Sequence, residues 1–286
     1  MNITGSASLA GVIGWPVAHS LSPLMHNHWI EKYGIDGVYV PLPVRQENFA
    51  SVVNGLKLAG FRGLNVTVPH KQAAFALANR SDHAAQIASA ANLLLFNADG
   101  IEARNTDMEG LAASLRESLG AESIKRRPVA IWGAGGFARA AVCVLSQMGA
   151  SEIRILNRNK VGAINLAAEL APAAQATLVG MDLEEWAIAE RNVALLVNAT
   201  SAGMNSPSID LPLDGLSKDT VVFDAVYNPL ETGLLARAKK HGLRTIDGLG
   251  LLMHQAVPSF AAFFGVEPKV TVALRDILEK VLRHEH

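Results

Sequence analysis

Val129-Ala130-Ile131-Trp132, followed at once by Gly133-Ala134-Gly135-Gly136-Phe137-Ala138, carries the strongest structural signal in this chain. The four apolar residues predict a short buried strand, the glycine-rich run predicts a tight turn, and residues 139–145 predict a helix. A second strand is predicted at 153–156, so strand, turn, helix and strand fit into about 30 residues. This order is typical of a dinucleotide-binding unit in an α/β protein.

The glycine-rich turn has a physical explanation in such a unit. Gly133 permits the tight turn, Gly135 allows the backbone to approach a pyrophosphate, and Ala138 is small enough for close packing of helix against strand. Free N–H groups at the start of the helix then face the phosphate charge. The residues predicted to bind the cofactor here are Gly133, Ala134, Gly135, Gly136, Phe137 and Ala138. A turn without a ligand, and the related turns of flavoproteins and methyltransferases, are the alternatives.

The residues after the second predicted strand indicate which dinucleotide is bound. An NAD-binding unit usually has an acidic residue here, about 20 residues past the glycines, which bonds the ribose 2′-hydroxyl. This chain has Asn157-Arg158-Asn159-Lys160 instead. Arg158 offers a flat bidentate donor to a 2′-phosphate, and Lys160 offers a mobile point charge. The segment favours NADP over NAD, and a solvated basic turn is the alternative.

The composition excludes several classes of protein. The chain has 286 residues, 50% of them hydrophobic, with 25 Lys and Arg against 26 Asp and Glu. This balance predicts no nucleic-acid partner and no membrane partner. The start of the chain has no basic leader, so a cytoplasmic protein is expected. The single cysteine, Cys143, excludes an internal disulfide and is expected to pack as a small hydrophobe. His19, His26 and His28 point in different directions on a helix, so no metal site is predicted.

Short apolar strands alternate with helical segments along the chain. Strands are predicted at 10–14, 38–42, 64–67, 193–197, 221–223 and 244–246, and helices at 23–33, 47–59, 106–119, 251–264 and 270–283. Asn97-Ala98-Asp99-Gly100 predicts a hairpin between strands at 92–96 and 101–104. Such alternation predicts mainly parallel sheets covered by helices. A domain boundary is expected near the helix at 106–119.

Polar motifs follow one another along nearly the whole chain. They are Gly14-Trp15-Pro16-Val17-Ala18-His19-Ser20-Leu21-Ser22-Pro23 with His26-Asn27, Asn65-Val66-Thr67-Val68-Pro69-His70-Lys71, Asn105-Thr106-Asp107 with Gly110, Asn198-Ala199-Thr200-Ser201-Ala202-Gly203-Met204, Asp224-Ala225-Val226-Tyr227-Asn228-Pro229-Leu230, and Asp247-Gly248-Leu249-Gly250 with Gln255. Together with the glycine-rich turn and Asn157-Arg158, this ordered series resembles the shikimate dehydrogenase family. Each motif is ordinary by itself, whereas the ordered series is highly specific.

The resemblance implies two α/β domains with the active site in the cleft between them. A substrate-binding domain is expected at 1–106 and 249–286, to which the C-terminal helices return, and a Rossmann-type NADP-binding domain at 107–248. Members of the family reduce 3-dehydroshikimate to shikimate with NADPH. The expected partner is therefore a polyhydroxylated cyclic carboxylate, and a monomer or homodimer is expected. A quinate or aminoshikimate dehydrogenase, with NAD as its cofactor, is an alternative. A catalytically weak dinucleotide-binding regulatory protein is another.

The resemblance also assigns roles to individual residues. Lys71 and Asp107 match the catalytic pair, in which Lys71 is the general acid and base. A cation at the start of a helix opposes the helix dipole, so structure alone does not favour Lys71 there, whereas Asp107 in a first turn would stabilise a helix. The residues matching substrate contacts are Ser20, Ser22, Asn65, Thr67, Asn92, Tyr227 and Gln255. Further cofactor contacts are expected from Thr200, Ser201, Ala225 and Gly248. Ser22 is also predicted to be a helix N-cap, with Pro23 at the first helical position.

Several positions depart from the usual pattern of the family. The chain has Ser89-Ala90-Ala91-Asn92-Leu93 where Gly-Ala-Val-Asn-Thr is typical, so a threonine hydroxyl is missing. Asn159 and Gly162 replace a threonine and an arginine of the phosphate clamp, while Ala225 and Leu251 replace frequent methionines. These departures favour a relaxed dehydrogenase or a paralogue of the housekeeping enzyme.

Overall fold

The computed structural model describes residues 3–119, 123–204 and 206–284, and the chain divides into two compact units. The first unit comprises Met1–Asp107 and Met253–His286, and the second comprises Met108–Leu252. The domain limits expected from the sequence lie one residue earlier at the first division and four residues earlier at the second.

The first unit contains a six-stranded sheet in the order β2-β1-β3-β5-β6-β4. Its strands are β1 (Ser8–Gly14), β2 (Gly37–Pro43), β3 (Gly63–Val66), β4 (Arg80–Ser81), β5 (Leu93–Asn97) and β6 (Gly100–Arg104). β1 runs parallel to β2 and β3, and β4 runs parallel to β6, whereas β5 is antiparallel to both β3 and β6. The predicted hairpin is present as β5–β6, with Asn97 paired to Gly100.

The helices that follow these strands are α1 (Ser22–Lys32), α2 (Phe49–Leu58), α3 (Lys71–Leu77), α4 (His83–Ala88) and α5 (Asp107–Leu119), which continues into the second unit. The alternation predicted α1, α2 and α5, whereas α4 was not predicted. One expectation at a helix start is wrong. Ser22 is the first residue of α1, and its N-cap is Leu21, which makes no side-chain cap bond. The hydroxyl of Ser20, two residues upstream of Ser22, instead accepts a hydrogen bond from the Ser22 N–H at 3.3 Å.

An aromatic cluster buries the C-terminal segment of the chain against the first unit. Phe260 of α10 (Leu249–Phe264) contacts the Trp29 ring at a centroid distance of 5.3 Å and the His26 ring at 5.7 Å. Trp29 and Phe260 are fully buried. The last helix of the described residues is α11 (Val272–His284), within the same unit. The expected return of the C-terminal helices to the first unit is therefore confirmed.

The second unit is a six-stranded, wholly parallel sheet in the order β12-β11-β10-β7-β8-β9. The strands are β7 (Pro128–Trp132), β8 (Glu152–Asn157), β9 (Thr177–Asp182), β10 (Leu195–Asn198), β11 (Val221–Asp224) and β12 (Arg244–Ile246). They are connected through α6 (Gly136–Gln147), α7 (Lys160–Leu170), α8 (Trp186–Ala189) and α9 (Gly233–Lys240). This is the doubly wound order of a dinucleotide-binding sheet, and its chain order reverses between β7 and β10. The strand β9 and the helices α7, α8 and α9 were not predicted from the sequence.

Small residues permit the close approaches that this second sheet needs. Gly133 follows β7 with a φ of 114°, and a Cβ there would meet Thr200 Cγ2 at 2.8 Å. Ala138 in the first turn of α6 is fully buried, as the sequence predicted for the position that packs helix against strand. Ligands of such sheets bind beyond the carboxyl ends of the strands at the reversal point, so a dinucleotide is expected at this edge.

Candidate functional site

Lys71 is the first residue of α3 and follows the segment that leaves the carboxyl end of β3. Its Nζ atom lies 2.8 Å from Asp107 Oδ2, so the structure brings the expected catalytic pair together. The Lys71 side chain is 32% exposed and that of Asp107 is 9% exposed. The amine therefore faces accessible space while its carboxylate partner is held within the protein.

The residue before Lys71 fixes the start of α3. His70 is buried, its ring stacks on Phe49 at a centroid distance of 4.7 Å, and its Nε2 donates to the Val44 carbonyl at 2.7 Å. Because both neighbours belong to the layer around β2 and α2, the helix cannot shift without breaking a buried contact. Sequence reasoning assigned no role to His70, although it stands in the motif that contains Lys71.

Asp107 is held by hydrogen bonds on its backbone and on both carboxylate oxygens. Its N–H donates to Asn105 Oδ1 at 3.0 Å, and Asn105 is buried, with its own amide donating to the Ala90 carbonyl. Oδ1 accepts a hydrogen bond from Asn92 Nδ2 at 2.9 Å, while Oδ2 accepts the bond from Lys71. The carboxylate has a fixed orientation, and Asn105 is a contributor that the sequence analysis quoted without assigning it a role.

Asn92 connects Asp107 to two further polar residues of the first unit. Its Nδ2 lies 3.0 Å from Thr106 Oγ1 and 3.2 Å from Gln255 Oε1, and its Oδ1 accepts the Thr106 N–H at 2.8 Å. Thr106 Oγ1 also lies 3.3 Å from Gln255 Oε1. Asn92 and Thr106 are buried, whereas Gln255 is half-buried. The amide of Asn92 is thus occupied by protein partners, and it orients the Asp107 carboxylate directly.

The other expected substrate residues lie on several elements and in both units of the chain. Thr67 directly follows β3 and packs against Gly14 at the end of β1, where a Cβ would collide with the Thr67 methyl. Ser20 and Ser22 stand at the start of α1. Asn65 lies within β3 and is buried. Tyr227 belongs to the second unit, where it follows β11.

The second unit contains a pocket of about 510 Å³ at the carboxyl edge of its sheet. Its lining combines expected cofactor residues with residues that the sequence analysis did not single out: Gly133, Leu156, Asn157, Arg158, Leu183, Thr200, Ser201, Ala202 and the segment 206–211. The segment 206–211 has no helix or strand pattern, so only the folded chain shows that it closes one side of the pocket. The other expected residues, Ala134, Gly135, Gly136, Phe137, Ala138, Asn159, Lys160, Ala225 and Gly248, are not among those that line it.

The two cations after β8 differ in their surroundings. Arg158 lines the pocket, is exposed, and has no side-chain partner among the residues that the structure describes. Lys160 pairs with Glu185 Oε2 at 2.7 Å, and that hydrogen bond raises the pKa of the ammonium. The sequence treated both residues as available to a phosphate, whereas only Arg158 is uncommitted. Asn159 is the N-cap of α7, and its side chain accepts the Gly162 N–H.

The turn after β7 fits the backbone requirements of a dinucleotide. Gly135 is the N-cap of α6, and a Cβ placed on it would meet nothing within 4 Å, so the space above this backbone is open. A helix that begins at such an open edge directs its free N–H groups and the positive end of its dipole towards an anion. Gly248 packs on the Ala225 backbone, so these two expected cofactor residues are neighbours.

A buried polar cluster holds Thr200 at the pocket. Asn198 Oδ1 accepts from the Thr200 hydroxyl at 2.7 Å and from its N–H at 3.1 Å, while Asn198 Nδ2 donates to Asp224 Oδ1 at 2.9 Å. The other oxygen of Asp224 accepts from Thr232 Oγ1 at 2.6 Å. Burial raises the pKa of the Asp224 carboxyl. The ends of β10 and β11 are thereby joined beside the reversal point of the sheet.

Two features are absent from the described residues 3–119, 123–204 and 206–284. No group of three or more His, Cys, Asp or Glu residues there could hold a metal ion. None of the helices there combines the length and apolar character needed to cross a bilayer. Cys143 lies half-buried in α6, and burial raises the pKa of its thiol, so it is not an activated nucleophile.

Comparison with known proteins gives a consistent result. Residues 12–94 match the model of the shikimate dehydrogenase substrate binding domain. A shikimate dehydrogenase (NADP(+)) of Paramagnetospirillum magneticum is 46% identical over 275 residues, covering 96% of this chain and 98% of that protein. The shikimate 5-dehydrogenase of Listeria monocytogenes, solved in complex with shikimate and NAD, has a TM-score of 0.86 at 29% identity and covers 97% of this chain and 98% of its own. That of Thermus thermophilus, in complex with NADP(H) and shikimate, has a TM-score of 0.83 at 32% identity and covers 97% and 99%.

The fold and the comparisons together define the class of protein. A doubly wound dinucleotide-type sheet joined to a second α/β unit with a lysine–carboxylate pair is the architecture of a nicotinamide-dependent oxidoreductase. The chain belongs to the shikimate dehydrogenase family. The resemblance seen in its ordered motifs is therefore confirmed.

Proposed function

We propose that this protein is an NADP-dependent shikimate dehydrogenase, which interconverts 3-dehydroshikimate and shikimate by hydride transfer. The observation that carries the proposal is the 2.8 Å contact between Lys71 Nζ and Asp107 Oδ2, residues that are 36 positions apart in the chain. Relatives that are 42–46% identical over at least 92% of this chain bear the name of this enzyme. We assign the substrate to the first unit and the dinucleotide to the second.

Lys71 is the group that handles the proton. Its Nζ carries three N–H donors when charged, and Asp107 occupies one of them, so the remaining donors are available to a substrate oxygen. In the direction of reduction, an N–H of Lys71 donates to the carbonyl oxygen and passes its proton to that oxygen as it becomes a hydroxyl. In the direction of oxidation the neutral amine accepts the hydroxyl proton. NADPH, when bound, supplies the hydride.

Asp107 keeps the amine in place and contributes to binding. Because Asn92 and Lys71 each occupy one carboxylate oxygen, the carboxylate cannot rotate, and it holds the lysine in one direction. Each oxygen retains a free lone pair, which can accept a bond from a substrate hydroxyl. Such a preorganised pair requires little rearrangement when the reaction occurs.

The remaining polar residues suit a hydroxylated ring that carries a carboxylate. Ser20 and Ser22 offer hydroxyls to the carboxylate at the start of α1, where the helix dipole also favours an anion. Asn65, Thr67, Tyr227 and Gln255 are proposed to contact the ring, whereas Asn92, whose amide is bonded within the protein, is proposed to act by orienting Asp107. Uncharged amides and hydroxyls of this kind bind ring hydroxyls without the desolvation cost of a further buried charge.

The dinucleotide is proposed to bind along the carboxyl edge of the second sheet. Its pyrophosphate would lie against the backbone of Gly133, Ala134, Gly135, Gly136 and Phe137, where the structure leaves open space above Gly135. Arg158 would bind the 2′-phosphate as a bidentate donor. Asn157, Asn159, Thr200, Ser201, Ala225 and Gly248 are proposed to line the rest of the path, with Lys160 in a minor role.

The residue after Asn92, which differs from the usual pattern of the family, supports a second candidate function, that of a quinate or aminoshikimate dehydrogenase. Leu93 is buried in β5 directly after Asn92, where a threonine hydroxyl is typical of the family. The loss of that hydroxyl leaves the polar network with one fewer donor. This change would relax the choice among ring substituents and would leave Lys71 and Asp107 unaffected.

One assay separates these functions. The purified protein is incubated with shikimate, quinate or aminoshikimate, each with NADP or NAD, and the absorbance of the reduced nicotinamide is followed. The proposal expects the highest kcat/KM with shikimate and NADP. Higher kcat/KM with quinate or with the amino analogue supports the second candidate, and no turnover with any pair contradicts both.

A further inference from the structure

The side-chain amide of Asn65 is almost completely occupied by protein partners. Its Nδ2 donates to Ser259 Oγ at 2.8 Å and to the Asn92 carbonyl at 3.2 Å, and its Oδ1 accepts from the Tyr39 hydroxyl at 2.8 Å. An amide has two N–H donors and two oxygen lone pairs. One lone pair of Oδ1 is therefore the only hydrogen-bonding capacity that the described residues leave unused.

The Asn92 carbonyl determines which way this amide is turned. A carbonyl can only accept, so the NH₂ group of Asn65 must face it. The same carbonyl also accepts the Val66 N–H at 2.8 Å, which fixes it in the pairing between β3 and β5. If the amide were turned over, Asn65 Oδ1 would face the Asn92 carbonyl oxygen at 3.2 Å with no hydrogen between them. Unpaired polar atoms are costly in such a buried site.

The two other partners of the Asn65 amide, Tyr39 and Ser259, lie far apart in the sequence. Tyr39 is 1% exposed, and its ring stacks on His26 at a centroid distance of 4.0 Å with an interplanar angle of 10°. Burial raises the pKa of its phenol well above the usual value, so the hydroxyl remains a donor. Ser259, in the middle of α10, is fully buried. Both groups are anchored in the core, so neither can turn away from Asn65.

We propose that Tyr39 and Ser259 are positioning residues that fix Asn65 as a hydrogen-bond acceptor towards the substrate. The ring substituent bound at Asn65 must then be a donor, either a hydroxyl or an amine, and not a carbonyl. This inference rests on the proposed function, because it assigns a polarity to one contact of that substrate site.

The polarity of Asn65 gives the site a means of orienting the ring. Lys71 offers N–H donors, which suit the carbonyl oxygen that is reduced, whereas Asn65 offers an acceptor, which rejects that carbonyl. A ring placed with its carbonyl at Asn65 would bring two oxygens together without a hydrogen between them, at a cost typical of unpaired buried groups. Tyr39 and Ser259 would therefore act on substrate orientation through Asn65.

A double-mutant cycle between Tyr39 and Asn65 tests this positioning role. Tyr39→Phe is expected to lower kcat/KM for shikimate about three- to tenfold, mainly through KM, because one hydrogen bond that holds the amide is lost. Asn65→Ala is expected to lower it by about tenfold to a hundredfold. In the Asn65→Ala background, Tyr39→Phe should add no more than about a twofold loss. Equal losses in both backgrounds would overturn the proposal.

Tyr33→Phe is the matched control, since it also removes a hydrogen-bonded tyrosine hydroxyl of the first unit. The Tyr33 hydroxyl accepts from the Lys269 N–H at 3.2 Å, outside the Asn65 network. This variant should retain the kcat/KM of the parent protein. Thermal unfolding of each variant, and its affinity for NADP, show whether Tyr39→Phe is folded before its kinetics are interpreted.

Substrate analogues test the polarity itself. In analogues of shikimate, each ring hydroxyl in turn is replaced by hydrogen, by fluorine or by an amine. The hydroxyl that contacts Asn65 is the one whose removal costs nothing further in Asn65→Ala. At that position the amine should retain binding, while fluorine, which cannot donate, should bind the parent protein as weakly as hydrogen. Full binding of the fluoro analogue would contradict the inference, whereas a parent protein inactive on shikimate would contradict the proposed function instead.

Discussion

The polar residues around Lys71 in the first unit bind one another, whereas the pocket of the second unit is lined by a cation, Arg158, that has no partner among the described residues. Asn92 places its amide within reach of three acceptors, and Asp107 has both carboxylate oxygens occupied. Arg158, by contrast, extends into a pocket of about 510 Å³ without a partner in the described parts of the chain.

This difference agrees with the function proposed for each region. Proton transfer requires donors held in a fixed geometry, and a carboxylate that must be rotated into place would add to the barrier. A dinucleotide brings its own charge and many contacts, so a rigid backbone turn with one free cation is sufficient to bind it. The first region therefore consists of buried side-chain networks, whereas the second combines one such network, which holds Thr200, with open backbone at a sheet edge.

Removal of the catalytic amine should produce the largest effect. Lys71→Ala is expected to lower kcat by about 10²- to 10⁴-fold, the usual contribution of a general acid, with the dissociation constant for NADP unchanged. Steady-state kinetics measure kcat, and a direct binding experiment measures the dissociation constant for NADP. Lys57→Ala, which removes a lysine from the last turn of α2, should match the parent protein. Near-parental turnover of Lys71→Ala would remove the lysine from the mechanism.

Arg158→Ala tests the pocket of the second unit and should have the next largest effect. Loss of a charge-assisted hydrogen bond of about 1.5–3 kcal/mol corresponds to roughly a tenfold to hundredfold rise in KM for NADP. The KM for NAD, which has no 2′-phosphate, should change by less than about twofold on the same grounds. Arg116→Ala, at an exposed arginine in the last turn of α5, serves as the control. An equal rise for NADP and NAD would show that Arg158 does not bind the phosphate.

A fall in pH should lower the free energy of unfolding, because of the buried ring of His26. Burial lowers the pKa of His26 to about 3 from 6.5, and its Nδ1 has no hydrogen-bond partner in the part of the chain that the structure describes. Below pH 6.5 the unfolded chain takes up a proton that the folded chain excludes, so the free energy of unfolding falls as pH falls. By pH 4.5 the loss is about 2–3 kcal/mol.

Urea unfolding at several pH values measures this dependence. His26→Phe keeps a ring on Tyr39 and should lose that part of the pH dependence, whereas His28→Phe, half-buried two residues further along α1, should retain it. Identical pH dependence in the parent protein and in His26→Phe would show that His26 does not differ in proton uptake between the two states.

The smallest effects on kinetics are expected for Lys160, which is paired with Glu185. Lys160→Ala should raise KM for NADP by no more than about threefold, because its ammonium is already paired with Glu185 in an exposed setting. Glu185→Gln should release Lys160 and lower that KM by about twofold. Glutamine preserves the capping box that Glu185 forms with Asp182. A loss on Lys160→Ala as large as that on Arg158→Ala would make the two cations equal partners.

The sequence predicted the elements that periodicity and glycine placement specify. The strand at 128–132, the turn at Gly133, the hairpin β5–β6 and the closing helices were all expected near their observed limits. Two local predictions were less accurate. β9 was missed because Thr177–Asp182 is only partly buried and contains a glycine, which Ala163 and Ile164 of α7 approach closely. The cap of α1 was misplaced because the residue type at Ser22 suggested a cap that the backbone does not form there.

In the candidate site, too, the sequence predicted the residues but not the contacts between them. Lys71, Asp107 and the amides were identified by motif, yet nothing in their spacing indicates that Asn92 bonds to Asp107 or that Tyr39 and Ser259 hold Asn65. Lys160 was predicted to be as available as Arg158, because the residue that pairs with it, Glu185, is 25 positions away in sequence. The segment 206–211 gave no signal, because it is irregular and lines the pocket only after folding.

The amino-acid sequence by itself determined the α/β class, the dinucleotide-type turn and the residue types of the site, because local hydrophobic period, glycine conformation and side-chain chemistry are properties of neighbouring residues. Only the tertiary structure decided which polar groups bond to one another and which stay free. A hydrogen bond between residues as far apart as Asn65 and Ser259 depends on how strands and helices pack. That packing, which turns Asn65 into an acceptor and leaves Arg158 uncommitted, cannot be found in any short stretch of the chain.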